Sequence, residues 1–150
     1  MSQKPPEPWP RPQRLSVGPQ SVPFGMDDLP WVRRVTAQWA AAAGLAPGRA
    51  DDFVLAVHEI AANAVLHGAP PARLVLRAPA GSVVAEVHDR GRWVTSARPG
   101  GRPGGRGLPL ARKVCDEVEI RAQPDGTAVL LRMRLPGPRP VVGDQATGQE

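Results

Sequence analysis

Glu59, Asn63 and His67 fall at successive four-residue steps within DDFVLAVHEIAANAVLHG, residues 51–68, a stretch otherwise patterned as an apolar helix. Four residues is close to one helical turn, so the three side chains share one face. A carboxylate and a carboxamide on such a helix are costly to desolvate, and a chain keeps them there with partners or for a task. His58 and Glu59 start the zinc-protease pattern HExxH, but its second histidine would fall at Ala62, so that chemistry is excluded. Magnesium is usually held by one or two protein oxygens beside phosphates and water, and Asn63 can supply one. Glu59, a turn earlier, is suited to orient or deprotonate a hydroxyl or water. From the spacing alone, a purely structural capping or pairing role for both stays open. His67 sits in the last turn, where the helix dipole favours it, and reads as a terminal side chain rather than a ligand.

Two further clusters follow. Asp89, Arg90 and Gly91 come directly after an alternating run, which places a carboxylate at a strand end beside a residue that permits close backbone approach. Such an aspartate can accept a hydrogen bond from an adenine amino group, although a strand-ending DxG is also an ordinary turn. Gly100, Gly101, Gly104, Gly105 and Gly107 lead into a helix near Leu108, and glycines before a helix N-terminus expose N–H groups to a phosphate. GxxxxGK[ST] is absent, and GxGxxG fails because Leu110 stands where its last glycine would be. Arg90, Arg92, Arg98, Arg102 and Arg106 leave two other readings of the loop, solvated arginines or contacts to nucleic-acid phosphates. Trp93 is its single aromatic, few for base stacking.

The elements that must position these groups are legible from the pattern. Asp27 and Asp28 precede LPWVRRVTAQWAAAAGL, read as a capped helix with Pro30 in the first turn and Gly44 at its end. Asp51 or Asp52 is expected to cap a second helix after the loop APGRA, with Phe53, Val57, Ile60, Ala61 and Ala64 as its apolar stripe. Residues 73–77 and 82–88 alternate as a hairpin across APAG, residues 90–107 form a long loop, and a third helix runs from Leu108 to about Asp116. Cys115 is expected in the core. Residues 117–121 and 127–135 pair as a final hairpin. This order predicts a two-layer α/β sandwich, helices on one face of a mixed, mostly antiparallel sheet.

With 150 residues, 41% apolar content and a formal charge of +5, the chain suits one domain with an anionic partner, whether nucleotide, nucleic acid or acidic protein. Its one cysteine excludes an intrachain disulfide and a cysteine-based zinc site and favours a reducing compartment. No run reaches the roughly 20 apolar residues of a membrane span, and the start lacks a signal-peptide apolar region, so a cytoplasmic protein is expected. Prolines crowd residues 1–21 and recur from Pro136, so both tails, 1–21 and 136–150, read as disordered around a domain at 22–135.

Taken together and in order, the three clusters resemble those of the GHKL superfamily, and within it the small anti-sigma-factor serine/threonine kinases of bacteria. The resemblance spans residues 22–135 and implies the Bergerat-type ATP-binding fold. EIAANAVLHG resembles the N box, which implies Glu59 as catalytic base and Asn63 as magnesium ligand. DRGRW resembles the first glycine box, assigning Asp89 to the adenine amino group and Gly91 to the approach beside the base. GGRGLPLARKVCDEVEI resembles the second, assigning Gly105, Arg106, Gly107 and Leu108 to the phosphate-binding turn. Trp93 departs from the family by standing where the first box usually has a second glycine, a variant similar to actinobacterial members, including domains fused to serine phosphatases. The resemblance implies ATP and Mg²⁺ as cofactors, a sigma factor and an anti-anti-sigma (STAS) protein as partners, a homodimer, and a role in transcription regulation. The alternatives are an ATP-binding regulatory module without kinase activity, acting by contact, and an arginine-rich nucleic-acid binder.

Overall fold

The computed structural model describes residues 20–91 and 107–137. Their elements run β1 (Gln20–Phe24), a short 3₁₀ turn (Met26–Asp28), α1 (Leu29–Ala43), α2 (Pro47–His67), β2 (Ala72–Arg77), β3 (Ser82–Asp89), α3 (Gly107–Val114), β4 (Glu117–Gln123) and β5 (Gly126–Arg134). The five strands form one antiparallel sheet in the order β1-β2-β3-β5-β4. The expected sandwich is therefore present, with every described strand pair antiparallel.

Three local expectations change. β1 begins at Gln20, inside the stretch read as an arm; Pro23 argues against a strand by sequence, but an edge strand is paired on one side only and tolerates it. α1 is not capped by an aspartate side chain on its own first turn: Asp28 instead accepts the Gly25 N–H at 2.8 Å, closing the turn that precedes the helix. α2 starts at Pro47 rather than at Asp51 or Asp52, because proline at the first helical position has its φ preset and gives up an N–H that would have no partner there. APGRA is thus mostly the first turn of α2.

The core lies between the helices and one face of the sheet. Trp39, Phe53, Ile60, Leu74, Leu76, Leu131 and Met133 are fully buried there, and Cys115 joins them, with burial pushing its thiol up to about 12. Fully burying each large apolar side chain is worth roughly 1.5–3 kcal/mol, so this layer is the main reason the amphipathic helices hold to the sheet. On the opposite face Val84 and Leu130 are buried too. Their register neighbours include Arg77, Glu86, Arg132 and Glu119, and the ion pairs Arg77–Glu86 and Arg132–Glu117 lay aliphatic stems beside them.

Two devices fix the helix ends. Arg49, in the first turn of α2, donates to the Val114 carbonyl at 3.3 Å and to Asp116 Oδ2 at 2.6 Å, which ties α2 to the end of α3. The Arg134 N–H also donates to Asp116 Oδ2 at 2.7 Å, and this bond, with Arg49, holds the Asp116 carboxyl below its usual range. At the end of α1, Gly44 takes φ 102°, and the Gly44 and Leu45 N–H groups close on Ala41 and Ala40 at 3.1 Å. A Cβ at Gly44 would meet nothing within 4 Å, so Gly44→Ala is expected to cost only the backbone penalty, about 1 kcal/mol in urea unfolding, with the fold unchanged.

Candidate functional site

α2 packs against the sheet and buries Asn63 near its C-terminal end. Asn63 is 7% exposed, and its Nδ2 has no partner among the described residues. A buried amide left this way costs roughly 1–3 kcal/mol, which asks for an explanation beyond packing. Glu59, one turn earlier, is partly exposed. It shares its side of α2 with Leu55 and Leu66, which are 46% and 58% exposed, so this carboxylate faces outward from the core. His67 is exposed in the last turn, the terminal position read from sequence.

Beyond α2 the backbone doubles back onto the end of β3. The Arg90 N–H donates to the Ala69 carbonyl at 2.9 Å. Asp89 Oδ1 accepts the Gly91 N–H at 2.5 Å and, at a long 3.4 Å, the Ala69 N–H. Asp89 is 6% exposed, so these donors offset part of the cost of burying its carboxylate. The close approach is possible because two positions are glycine. A Cβ on Gly68 would lie 2.5 Å from the Ala64 carbonyl oxygen and 2.6 Å from Asp89 Cγ, and one on Gly91 would lie 2.8 Å from Asp89 Oδ1. The helix end and the strand end thus form one unit around the Asp89 carboxylate.

Thr127 belongs to the same unit, and sequence reasoning missed it. It stands opposite Asp89 in the β3–β5 register, is 4% exposed, and donates its hydroxyl to the Gly91 carbonyl at 2.8 Å. The only sequence signal was its place next to the Gly126 turn, which acquires meaning once β5 is paired with β3.

The third cluster is seen only in part. α3 begins at Gly107 and packs against α2, while Leu108 is half-buried against the core. Gly105, Arg106, Trp93 and the remaining loop arginines from 92 onward lie outside the described residues. The structure therefore brings Asn63, Gly68, Asp89, Gly91 and Thr127 onto one end of the α2–β3–β5 layer and sets Gly107 at the head of the neighbouring helix. Among the described residues no group of three or more His, Cys, Asp or Glu side chains is arranged to hold a metal. The donor set does fit a magnesium nucleotide, which needs few protein oxygens: the Asn63 carboxamide carries one such oxygen and, in its unpartnered Nδ2, a donor for a phosphate oxygen, and the glycine-lined cradle at Asp89 allows close approach.

Among the described residues no helix is long and apolar enough to cross a membrane. In structure the chain is similar to the RsbU and RsbW domains of Rv1364c from Mycobacterium tuberculosis, at TM-score 0.61 and 26% identity, covering 78% of this chain and 32% of that one. It shares its fold with the blue-light activated histidine kinase EL346 of Erythrobacter litoralis, at TM-score 0.50 and 20% identity, covering 76% of this chain and 42% of that one. The chain thus spans less than half of either protein. A family model for the histidine kinase-like ATPase domain matches residues 22–133, from β1 to β5. The chain belongs to the histidine kinase-like ATPase family.

Proposed function

We propose that the chain binds Mg-ATP and phosphorylates a serine or threonine on a small STAS-type anti-anti-sigma partner, thereby controlling a sigma factor. The observation that carries this reading is the buried carboxamide of Asn63, whose Nδ2 has no partner among the described residues, one turn after Glu59 on the helix whose end packs against Asp89. In this reading Asn63 offers its oxygen to Mg²⁺, Asp89 accepts from the adenine amino group, and Gly91 leaves room for the base. Gly105, Arg106, Gly107 and Leu108 are assigned to the phosphates, at the head of α3, where N–H groups and the helix dipole favour anions. Mg-ATP would supply, when bound, an electrophilic phosphorus, with the ion offsetting the negative charge of the phosphate oxygens. Glu59 acts on the partner: it orients the seryl or threonyl hydroxyl and accepts its proton, as the outward-facing carboxylate beside Asn63. A contact-only ATP module would have no use for that base, and an arginine-rich nucleic-acid binder no use for Asn63 or Asp89.

Titration calorimetry with ATP and Mg²⁺ tests the nucleotide part. The unaltered chain is expected to bind, and Asp89→Ala to weaken binding by about 10- to 100-fold, the loss of one charge-assisted hydrogen bond of roughly 1.5–3 kcal/mol. Asn63→Ala is expected to remove the dependence on Mg²⁺ more than the affinity for the nucleotide alone. Because Asp89 also receives backbone N–H groups, each variant is checked by circular dichroism for retained fold. Absence of binding at millimolar ATP in the unaltered chain would end this reading.

A further inference from the structure

α3 is short, and its packing is thin. Its eight residues, Gly107–Val114, span about 12 Å, and two residues, Cys115 and Asp116, separate it from β4. From Leu108 onward Ala111 is its one fully buried side chain, with Leu108 and Val114 half-buried against the core. Apolar contact alone therefore holds this helix over a small area.

Polar ties converge on its last turn. Arg49 donates to the Val114 carbonyl, one of the end carbonyls that an α-helix cannot satisfy itself, and to Asp116 Oδ2. The same Oδ2 accepts the Arg134 N–H from the end of β5, and the Asp116 N–H donates to the Arg132 carbonyl at 3.0 Å. The tail of α3 is thereby fastened to the first turn of α2 on one side and to β5 on the other. A cation in the first turn of a helix opposes the dipole there, so Arg49 does nothing for α2 itself, whereas at the tail of α3 the same charge is favourable.

The head of α3 follows from where its tail is held. α3 packs on α2 with its tail at the start of that helix, so its head is directed along α2 toward the end that carries Asn63. Arg49 and Asn63 lie about 21 Å apart along α2 and within about 40° of one another around it. With the tail as pivot, a tilt of about 10° moves the head of a helix this long by roughly 2 Å. A shift of that size is enough to break an N–H···O bond.

We propose that Arg49, through Asp116 and the Val114 carbonyl, is a positioning residue for the phosphate end of the nucleotide. It sets the angle between α2 and α3, and so the spacing between the Asn63 carboxamide and the N–H groups at the head of α3. This rests on the nucleotide reading above and adds a control point to it, distant from the ligand. The adenine end is built separately, since the bonds around Asp89 join the link after α2 to the ends of β3 and β5. The Arg49 and Asp116 side chains are 39% and 32% exposed, and an ion pair this open to water adds little to global stability. Its loss is expected to free the helix rather than unfold the chain.

The test compares ATP with adenosine, which reaches the base end but carries no phosphate. Both are titrated in Mg²⁺ into the full chain, ATP by calorimetry and adenosine by NMR chemical shifts. Arg49→Met keeps the aliphatic stem, and Asp116→Asn keeps an acceptor for the Arg134 N–H. Each should weaken ATP binding by about tenfold, the low end for one hydrogen bond to a charged group because the pair is partly exposed. Adenosine binding should not change. Because both substitutions cut one link, the double variant should bind ATP at most about twofold worse than Arg49→Met. Arg49→Lys keeps the charge but cannot span both acceptors, and should fall between. In a chain that binds ATP, unchanged affinity in both single variants overturns the proposal and leaves the nucleotide reading intact. Equal losses for ATP and adenosine overturn it as well, since they report a general loosening of the fold, and so do fully additive losses in the double variant. Failure of the unaltered chain to bind ATP ends the nucleotide reading, and the proposal with it, before any variant is compared.

Discussion

Glu59→Ala is expected to lower phosphoryl transfer to the proposed STAS-type partner by about 10²- to 10⁴-fold, the range a positioned general base supplies. ATP affinity should change little in the same variant. The reason lies in where the carboxylate sits: Glu59 is partly exposed on the outward side of α2 and makes no hydrogen bond or ion pair with another described residue, so its removal leaves no buried partner unsatisfied. Its loss therefore costs little stability, and a fall in rate reports chemistry rather than unfolding. Glu59→Gln sharpens the test, since it keeps shape and hydrogen bonding but cannot take a proton at neutral pH. Transfer of labelled phosphate to the partner, measured at saturating ATP, should fall in both variants. Unchanged transfer would remove Glu59 as base and favour the contact-only module; a parallel collapse of ATP binding would reassign it to the nucleotide.

Much of the fold was legible because it rests on local periodicity. The stripe of Phe53, Val57, Ile60, Ala61 and Ala64 is a helical pattern that only one burial geometry satisfies, and all five are in the core. The two hairpins announce themselves by alternation and short turns, and both are present. What could not be read locally is pairing between distant segments. β3 lies against β5 across the whole intervening loop, helix and strand, and β1 returns to β2 from before both long helices. Those choices depend on which apolar faces the helices leave to cover, a property of the assembled layer. Thr127 shows the same limit within the site: a threonine after a turn is unremarkable until the register sets it opposite Asp89. Glu59, Asn63, Asp89 and Gly91 could be proposed from the sequence because each carries its chemistry in its own residue type and short spacing. The start of α2 was misread for a different reason, since an aspartate is a strong cap signal and Pro47 a weaker one, yet the proline lies earlier and the apolar face extends back to Ala50.

Gly126→Ala is expected to destabilise the fold by about 2–4 kcal/mol and to weaken ATP binding with it, although Gly126 lies at a hairpin turn. Gly126 adopts φ 157°, and a Cβ there would run into the Asp89 carbonyl oxygen and lie 2.8 Å from Arg90 Cα. Both obstacles are backbone, so no side chain can swing aside, and relief requires β5 to move away from the end of β3. That movement displaces Thr127, the next residue, whose hydroxyl holds the Gly91 carbonyl, and with it the Asp89–Gly91 segment. Gly44→Ala is the control, because Gly44 also has positive φ but an added Cβ there meets nothing within 4 Å. If backbone strain alone governed, the two alanines would cost alike in urea unfolding, near 1 kcal/mol. The larger loss at Gly126, together with a fall in ATP affinity absent at Gly44, is the expected signature of a turn that holds the Asp89 carboxylate in place. Equal losses and unchanged affinity would instead mean that β3 and β5 can part at this end without disturbing the site.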